Sequence, residues 1–200
     1  MTVRVVIAGG GTGGHIFPGL AVADELIEAG VGVHWLGARR GLEGELVGER
    51  DIPLTLVELE GMRSRSLTAA ARALGQIPKA VASSLKVLLD LDPVAVLGVG
   101  GYASSAGLLA AGLLGIPSIL QEQNSIPGWT NRTLAPWADL ICCGFADATA
   151  AFPSLPAVWT GNPVRADFFA IDDPVVASPP RILILGGSQG SLFLNRTVPR

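Results

Sequence analysis

Three glycine-rich stretches follow apolar runs: GGGTGGH at 9–15, GVGGY at 98–102 and GGSQG at 186–190. A glycine loop that opens a helix offers unpaired backbone N–H groups and the positive end of the helix dipole. That combination binds phosphate whatever the rest of the ligand is. Gly9, Gly11 and Gly14 fit the G-x-G-x-x-G spacing of dinucleotide loops, yet the loop also carries Thr12, an added Gly13 and His15. A dinucleotide site further asks for an acidic residue near the end of the second strand, to hold the ribose. Here HWLGARRGLEG supplies Arg39 and Arg40 and no carboxylate before Glu43. Two arginines suit the extra phosphate of NADP, so an NADP-dependent oxidoreductase is the alternative to be tested.

Polar clusters follow two more apolar runs. QEQNSIPGWTNR brings Glu122, Gln123, Asn124 and Asn131, and TGNPVR brings Asn162 and Arg165. Amides and a guanidinium suit sugar hydroxyls, a uracil edge and a diphosphate. Any one of them alone reads equally well as a turn or a helix cap. Asp90 and Asp92 form a D-x-D, but they fall between a helix and a strand at the edge opposite the glycine loops. They read as a solvated helix end, and no metal site is expected.

The elements that must position these groups follow the βαβ rhythm of a parallel sheet. Strands are expected at 3–8, 31–36, 54–59, 94–99, 118–121, 140–143 and 158–160, hydrophobic enough for helices on both faces. The first helix is expected at 17–29, with Pro18 in its first turn and Ile16, Leu20, Ala23 and Ile27 on one face. The fold class is therefore α/β, a Rossmann-like parallel sheet. After Arg165 the texture changes to FFAIDDPVVASPP and then restarts as RILILGGSQGSLFLN. This gives a first domain over 1–163, a linker over 164–180, and over 181–200 the first strand and helix of a second, truncated domain.

Composition bounds the partners. The chain is 49% hydrophobic and 16% charged with net charge −3, its mean hydropathy is +0.48 and its isoelectric point about 5.3. It can bury a large core, and nothing in the balance suggests nucleic acid. Cys142 and Cys143 are adjacent, so on a strand they face opposite ways and read as reduced thiols. No charge falls between Asp92 and Glu122. The glycines and Pro117 in that stretch fit a strand, a buried small-residue helix and another strand better than a membrane span.

Taken in order, GGTGGH, GLE and LV at 41–47, LGVGGY at 97–102, EQN at 122–124, GNPVR at 161–165 and GGSQG at 186–190 resemble the MurG family of peptidoglycan glycosyltransferases. The resemblance implies the N-terminal half of a two-domain GT-B enzyme. Such an enzyme moves N-acetylglucosamine from UDP to the muramyl 4-hydroxyl of lipid I, with inversion and without a cofactor. It implies that Thr12, Gly13, Gly14, Asn124, Arg165 and Ser188 contact UDP-N-acetylglucosamine. Gly100, Gly101, Tyr102, Asn131 and Asn162 would line the acceptor side or support the contacting residues. His15 would lie near the reacting groups, either as general base or as a holder of phosphate or of the loop itself, with Glu122 the weaker catalytic candidate. The family usually has a histidine where this chain has Gln121. The donor domain is mostly missing from 200 residues, so this chain alone is not expected to be competent. A non-catalytic binding module acting with a partner chain is the remaining alternative.

An acceptor embedded in lipid asks for membrane contact. GMRSRSLTAAARALGQIPK carries Arg63, Arg65, Arg72 and Lys79 beside Leu67, Leu74 and Ile77, a composition suited to anionic lipid. The same segment also reads as an amphipathic helix packed on the sheet. Peripheral attachment at the cytoplasmic face of the cell membrane is the expected location.

Overall fold

The computed structural model describes residues 3–39, 41–58, 67–170, 179, 182–184, 186 and 192–198, with the side chains of 67–74, 193 and 195 not described. The chain divides into two compact units, Met1–Phe168 and Phe169–Arg200.

In the first unit seven strands form one parallel sheet in the order β3-β2-β1-β4-β5-β6-β7. They are β1 Arg4–Gly9, β2 Gly32–Ala38, β3 Leu54–Val57, β4 Ala95–Gly100, β5 Ser118–Glu122, β6 Leu140–Cys143 and β7 Ala157–Trp159. The helices α1 Gly13–Glu28, α2 Glu43–Leu46, α3 Leu67–Leu91, α4 Gly101–Leu114 and α5 Trp129–Leu134 connect them. The order reverses between β1 and β4. In open α/β sheets the crevice for ligands opens there, at the carboxyl ends of the strands.

Alternation along each strand divides the core in two. Val6, Ala8, Leu36, Val96 and Leu120 pack under α3 and α4 with Ala80, Leu88, Ala106 and Leu108. Ile7, Val33, Trp35, Leu97 and Val99 face the other way, onto Ile16, Leu20 and Ala23 of α1. A sheet covered on both faces explains the near-continuous hydrophobicity of its strands. The Trp35 indole N–H donates to Gly9 O at 3.0 Å, which ties β2 to the end of β1 where the first glycine loop begins.

Three expectations need correction. Helix α1 starts at Gly13, not Phe17, so Pro18 lies inside it. Two glycines cost helix propensity, but His15 N and Ile16 N both bond to Thr12 O, at 3.0 and 3.1 Å, and so begin the helix early. Ile27 is 48% exposed and leaves the apolar face to Ile16, Leu20 and Ala23. In the second unit Leu192–Thr197 is helical, α6, but residues 182–184 form no strand, because a strand needs hydrogen-bonded neighbours.

Cys142 and Cys143 are free thiols, and burial pushes both above the ordinary cysteine value. The charge-free stretch folds as β4, α4 and β5. Among the described residues no helix is long and apolar enough to cross a membrane.

His34 supplies a test of the packing. Half-buried in β2, its Nε2 lies 2.9 Å from Thr55 Oγ1. Burial first, then the nearby Arg4 charge, hold its pKa below 6.5. Near that pH the folded state therefore binds fewer protons than the unfolded one. Its stability contribution is present above pH 6.5 and is lost as pH falls toward the folded value. Urea midpoints at mildly alkaline and mildly acidic pH should show a smaller acid loss in His34→Gln than in the wild type. Equal losses in both would remove His34 as a cause.

Candidate functional site

The first two glycine loops meet at the carboxyl edge of β1 and β4. Gly10 N donates to Gly100 O at 3.3 Å. Gly100 and Gly101 take φ of 103° and 79°, a region that L side chains rarely adopt. A Cβ on Gly101 would overlap Gly10 O, and one on Gly100 would come within 2.7 Å of His15 Cδ2. The imidazole of His15 therefore lies against the second loop. Its Nδ1 is 3.3 Å from Gly10 O and 3.5 Å from Thr12 Oγ1. A carbonyl can only accept, so a neutral ring bonded to Gly10 O carries its proton on Nδ1 and has its lone pair on Nε2.

Two buried glutamates hold this edge. Glu43 is fully buried, and its Oε1 accepts from Gly11 N at 2.9 Å and from Ala38 N at 3.2 Å. Gly10, Gly37 and Gly41 leave the hollow it fills, and a Cβ on Gly10 or Gly41 would overlap its carboxylate. Sequence reading missed Glu43 as a site residue because it was sought as a solvent-facing ribose ligand. The signal in the sequence is slight: one acid between Leu42 and Gly44, three residues after Arg40. The Gly11 N–H is thus already bonded within the protein. The N–H groups of Gly13 and Gly14, in the first turn of α1, are the ones that helix geometry leaves to a ligand.

Glu122, at the end of β5, is also fully buried. One oxygen accepts from Asn124 N at 2.8 Å and Asn124 Nδ2 at 2.9 Å, and the other from Gly128 N at 3.1 Å and Asn131 Nδ2 at 2.9 Å. With both oxygens engaged, this carboxylate organises the 123–131 loop. It holds Asn124 at the rim, while Asn131 is a buried support.

Beside it runs a closed set of amide contacts. Gln121 Nε2 donates to Asn162 Oδ1 at 3.1 Å, Asn162 Nδ2 donates to Gln123 O at 3.0 Å, and Gln123 Nε2 donates to Val99 O at 2.7 Å and to Gln121 Oε1. This ties the stretch after β7 to the ends of β4 and β5. Arg165, in that stretch, stacks its guanidinium 5.3 Å from the Phe17 ring of α1 and 5.4 Å from that of Phe168, a cation–π distance. Thr12, Gly13, Gly14 and His15 are thereby gathered with Phe17 and Arg165 at one end of α1.

Other expected residues fall elsewhere. Tyr102, half-buried, packs on the α4 side of the core. Ser188, Arg63 and Arg65 lie outside the described residues, as do the side chains of Leu67, Arg72 and Leu74. Ile77 is half-buried, and Lys79 is ion-paired with exposed Glu58. The Lys79 hydrogen bond and charge, with that of Arg39, hold the Glu58 carboxyl below its ordinary value. Asp90 lies in α3 and Asp92 closes it with φ of 46°. Among the described residues no group of three or more His, Cys, Asp or Glu could hold a metal ion.

Residues 5–142 match the glycosyltransferase family 28 N-terminal domain. The chain belongs to that family. Over 201 residues it is 41% identical to UDP-N-acetylglucosamine--N-acetylmuramyl-(pentapeptide) pyrophosphoryl-undecaprenol N-acetylglucosamine transferase of Stutzerimonas stutzeri, covering 100% of this chain and 56% of that protein. The enzyme of that name from Yersinia pseudotuberculosis is 43% identical over 203 residues, covering 99% and 56%. The family 28 chain thus spans little more than half the length of these relatives. Among solved structures, MurG of Acinetobacter baumannii superposes with a TM-score of 0.68 at 36% identity, covering 82% of this chain and 47% of that one. A UDP-GlcNAc 2-epimerase of Neisseria meningitidis, at 19% identity and TM-score 0.58 over 81% of this chain and 46% of that one, shares the fold. The MurG resemblance carried by the motifs therefore extends along the whole chain, and the nicotinamide alternative finds no support in these matches.

The Glu122 cluster yields a direct test. In Glu122→Gln an NH2 group must face two of the four donors, which leaves them unpaired in a dry site. The unfolding free energy should fall by about 1–3 kcal/mol, read as a lower urea midpoint at unchanged slope. A wild-type midpoint would show the carboxylate to be dispensable.

Proposed function

We propose that this chain is the acceptor-side half of an inverting N-acetylglucosaminyltransferase that converts lipid I to lipid II, with residues 181–200 opening its donor-side domain. The observation that carries this reading is the identity of 41% and 43%, along essentially the whole chain, to enzymes named for that reaction. Exposed Ile182, Leu183 and Ile184 suit a strand that a larger domain would cover.

In this reading the muramyl 4-hydroxyl oxygen attacks the anomeric carbon of N-acetylglucosamine. The bond from that carbon to the diphosphate breaks, and UDP leaves with the electron pair from the opposite face. The hydroxyl proton passes to Nε2 of His15, the nitrogen left as acceptor when Nδ1 bonds to Gly10 O. Developing negative charge meets the first turn of α1 at Gly13 and Gly14 and the guanidinium of Arg165, fixed groups that need no rearrangement. Asn124, held by Glu122, and Thr12 contact the sugar nucleotide, and Ser188 is a further donor-binding residue of the second domain. Gly100, Gly101, Tyr102, Asn131 and Asn162 shape or support the acceptor side. Glu122, with both oxygens engaged, serves by placing Asn124. Residues 63–79 make the peripheral contact with anionic lipid at the cytoplasmic face, where Lys79 divides its charge between Glu58 and the surface.

The test is transfer of labelled N-acetylglucosamine from UDP to lipid I by the native gene product. His15→Ala should lower kcat by about 10²–10⁴-fold, the range of general base catalysis, with the fold intact. An unchanged kcat would remove His15 as the base. A wild-type protein that transfers no sugar but oxidises NADPH would overturn the reading.

A further inference from the structure

We propose that Glu43 is a positioning residue for His15, acting through the Gly10–Gly11 peptide that lies between them. The inference rests on the reading of His15 as the base. Its geometry is independent of that reading.

A trans peptide carries its N–H and C=O on opposite sides of one rigid plane. In the peptide joining Gly10 to Gly11, the N–H donates to Glu43 Oε1 at 2.9 Å and the C=O lies 3.3 Å from His15 Nδ1. The sequence of contacts is carboxylate, peptide, imidazole. A charged acceptor on the N–H strengthens that hydrogen bond and polarises the peptide, so its oxygen becomes a better acceptor. That favours the proton on Nδ1 and leaves the lone pair on Nε2.

The surroundings are built for this contact. Glu43 is fully buried, and its second oxygen, Oε2, has no hydrogen-bond partner among the described residues. A carboxylate is costly to bury unless it is bonded, and here its hydrogen bonds are the two N–H groups at Oε1. Gly10 and Gly41 have no Cβ where one would overlap the carboxylate, and Gly37 approaches its methylene carbons. The second loop clamps the same peptide from the far side, since a Cβ on Gly101 would overlap Gly10 O. Thr12 Oγ1, 3.5 Å from Nδ1, is the competitor. A hydroxyl that donated to Nδ1 would put the ring proton on Nε2 and remove the base.

The tautomer of His15 decides between these arrangements. It is read from the ring 15N shifts of the 200-residue chain in mildly alkaline buffer, with the resonances of His34, the other histidine, assigned through His34→Gln. The expected result is a majority of the Nδ1–H form. Glu43→Gln keeps an acceptor oxygen of the same shape but removes the charge, and should lower the ratio of Nδ1–H to Nε2–H by about two- to tenfold, the difference between charged and neutral hydrogen bonds. If that variant does not fold, Glu43→Asp, whose shorter side chain withdraws from Gly11, should shift the ratio the same way. A wild-type majority of Nε2–H, or a ratio that no Glu43 variant changes, overturns the relay. A relay that holds in a protein without transfer activity would reject the proposed function alone. Transfer activity with an Nε2–H ring would reject the relay alone.

Discussion

Two buried carboxylates, paired with no basic group among the described residues, hold the carboxyl edge of this sheet. Glu43 and Glu122 each accept backbone N–H groups at strand ends and in the loops that follow them. Glu43 bonds Gly11 and Ala38; Glu122 bonds Asn124 and Gly128 and the side chains of Asn124 and Asn131. Burying a carboxylate is expensive, so each holds only while its loop keeps the donors in place. Loop and acid specify each other. The two glycine loops add a second lock, Gly10 N to Gly100 O, so His15 and Asn124 are set by the scaffold before any ligand arrives.

This arrangement also sets the first glycine loop apart from the dinucleotide pattern. In the dinucleotide pattern the acid at the end of the second strand reaches out to a ribose. In this chain the acid after β2 turns inward and binds the loop. The N–H of Gly11 is used internally, and in the first turn of α1 the N–H groups of Gly13 and Gly14 are left without a helical partner. Arg165 joins them from the far end of the unit by stacking on Phe17. The same G-x-G-x-x-G letters are thus compatible with a sugar-transfer edge. The spacing alone does not show where the acid points; here Glu43 faces the loop.

The strands were legible because parallel strands covered on both faces must be apolar throughout, and all seven fall where their β-branched runs lie. The start of α1 was not, because Gly13 and Gly14 argue against a helix locally and only the Thr12 carbonyl and the packing of His15 override them. His15, Asn124 and Arg165 stand out in the sequence as chemistry-bearing types after strand ends, and the structure places them at the carboxyl edge. Glu43 does not, since a carboxylate turned inward has no periodicity or spacing to mark it. Gln121 and Gln123 belong to the QEQN stretch, but their contacts with Asn162 join positions far apart in the chain and need the fold to be seen.

Amide hydrogen exchange at Gly11, Asn124 and Gly128 tests most directly whether the buried carboxylates hold the edge in the unliganded protein. The account predicts that these three loop amides exchange far more slowly than that of exposed Ser125 in the same loop. Exchange of all three at the Ser125 rate would mean that the glutamates do not hold them, and that the edge takes its shape only when a ligand binds.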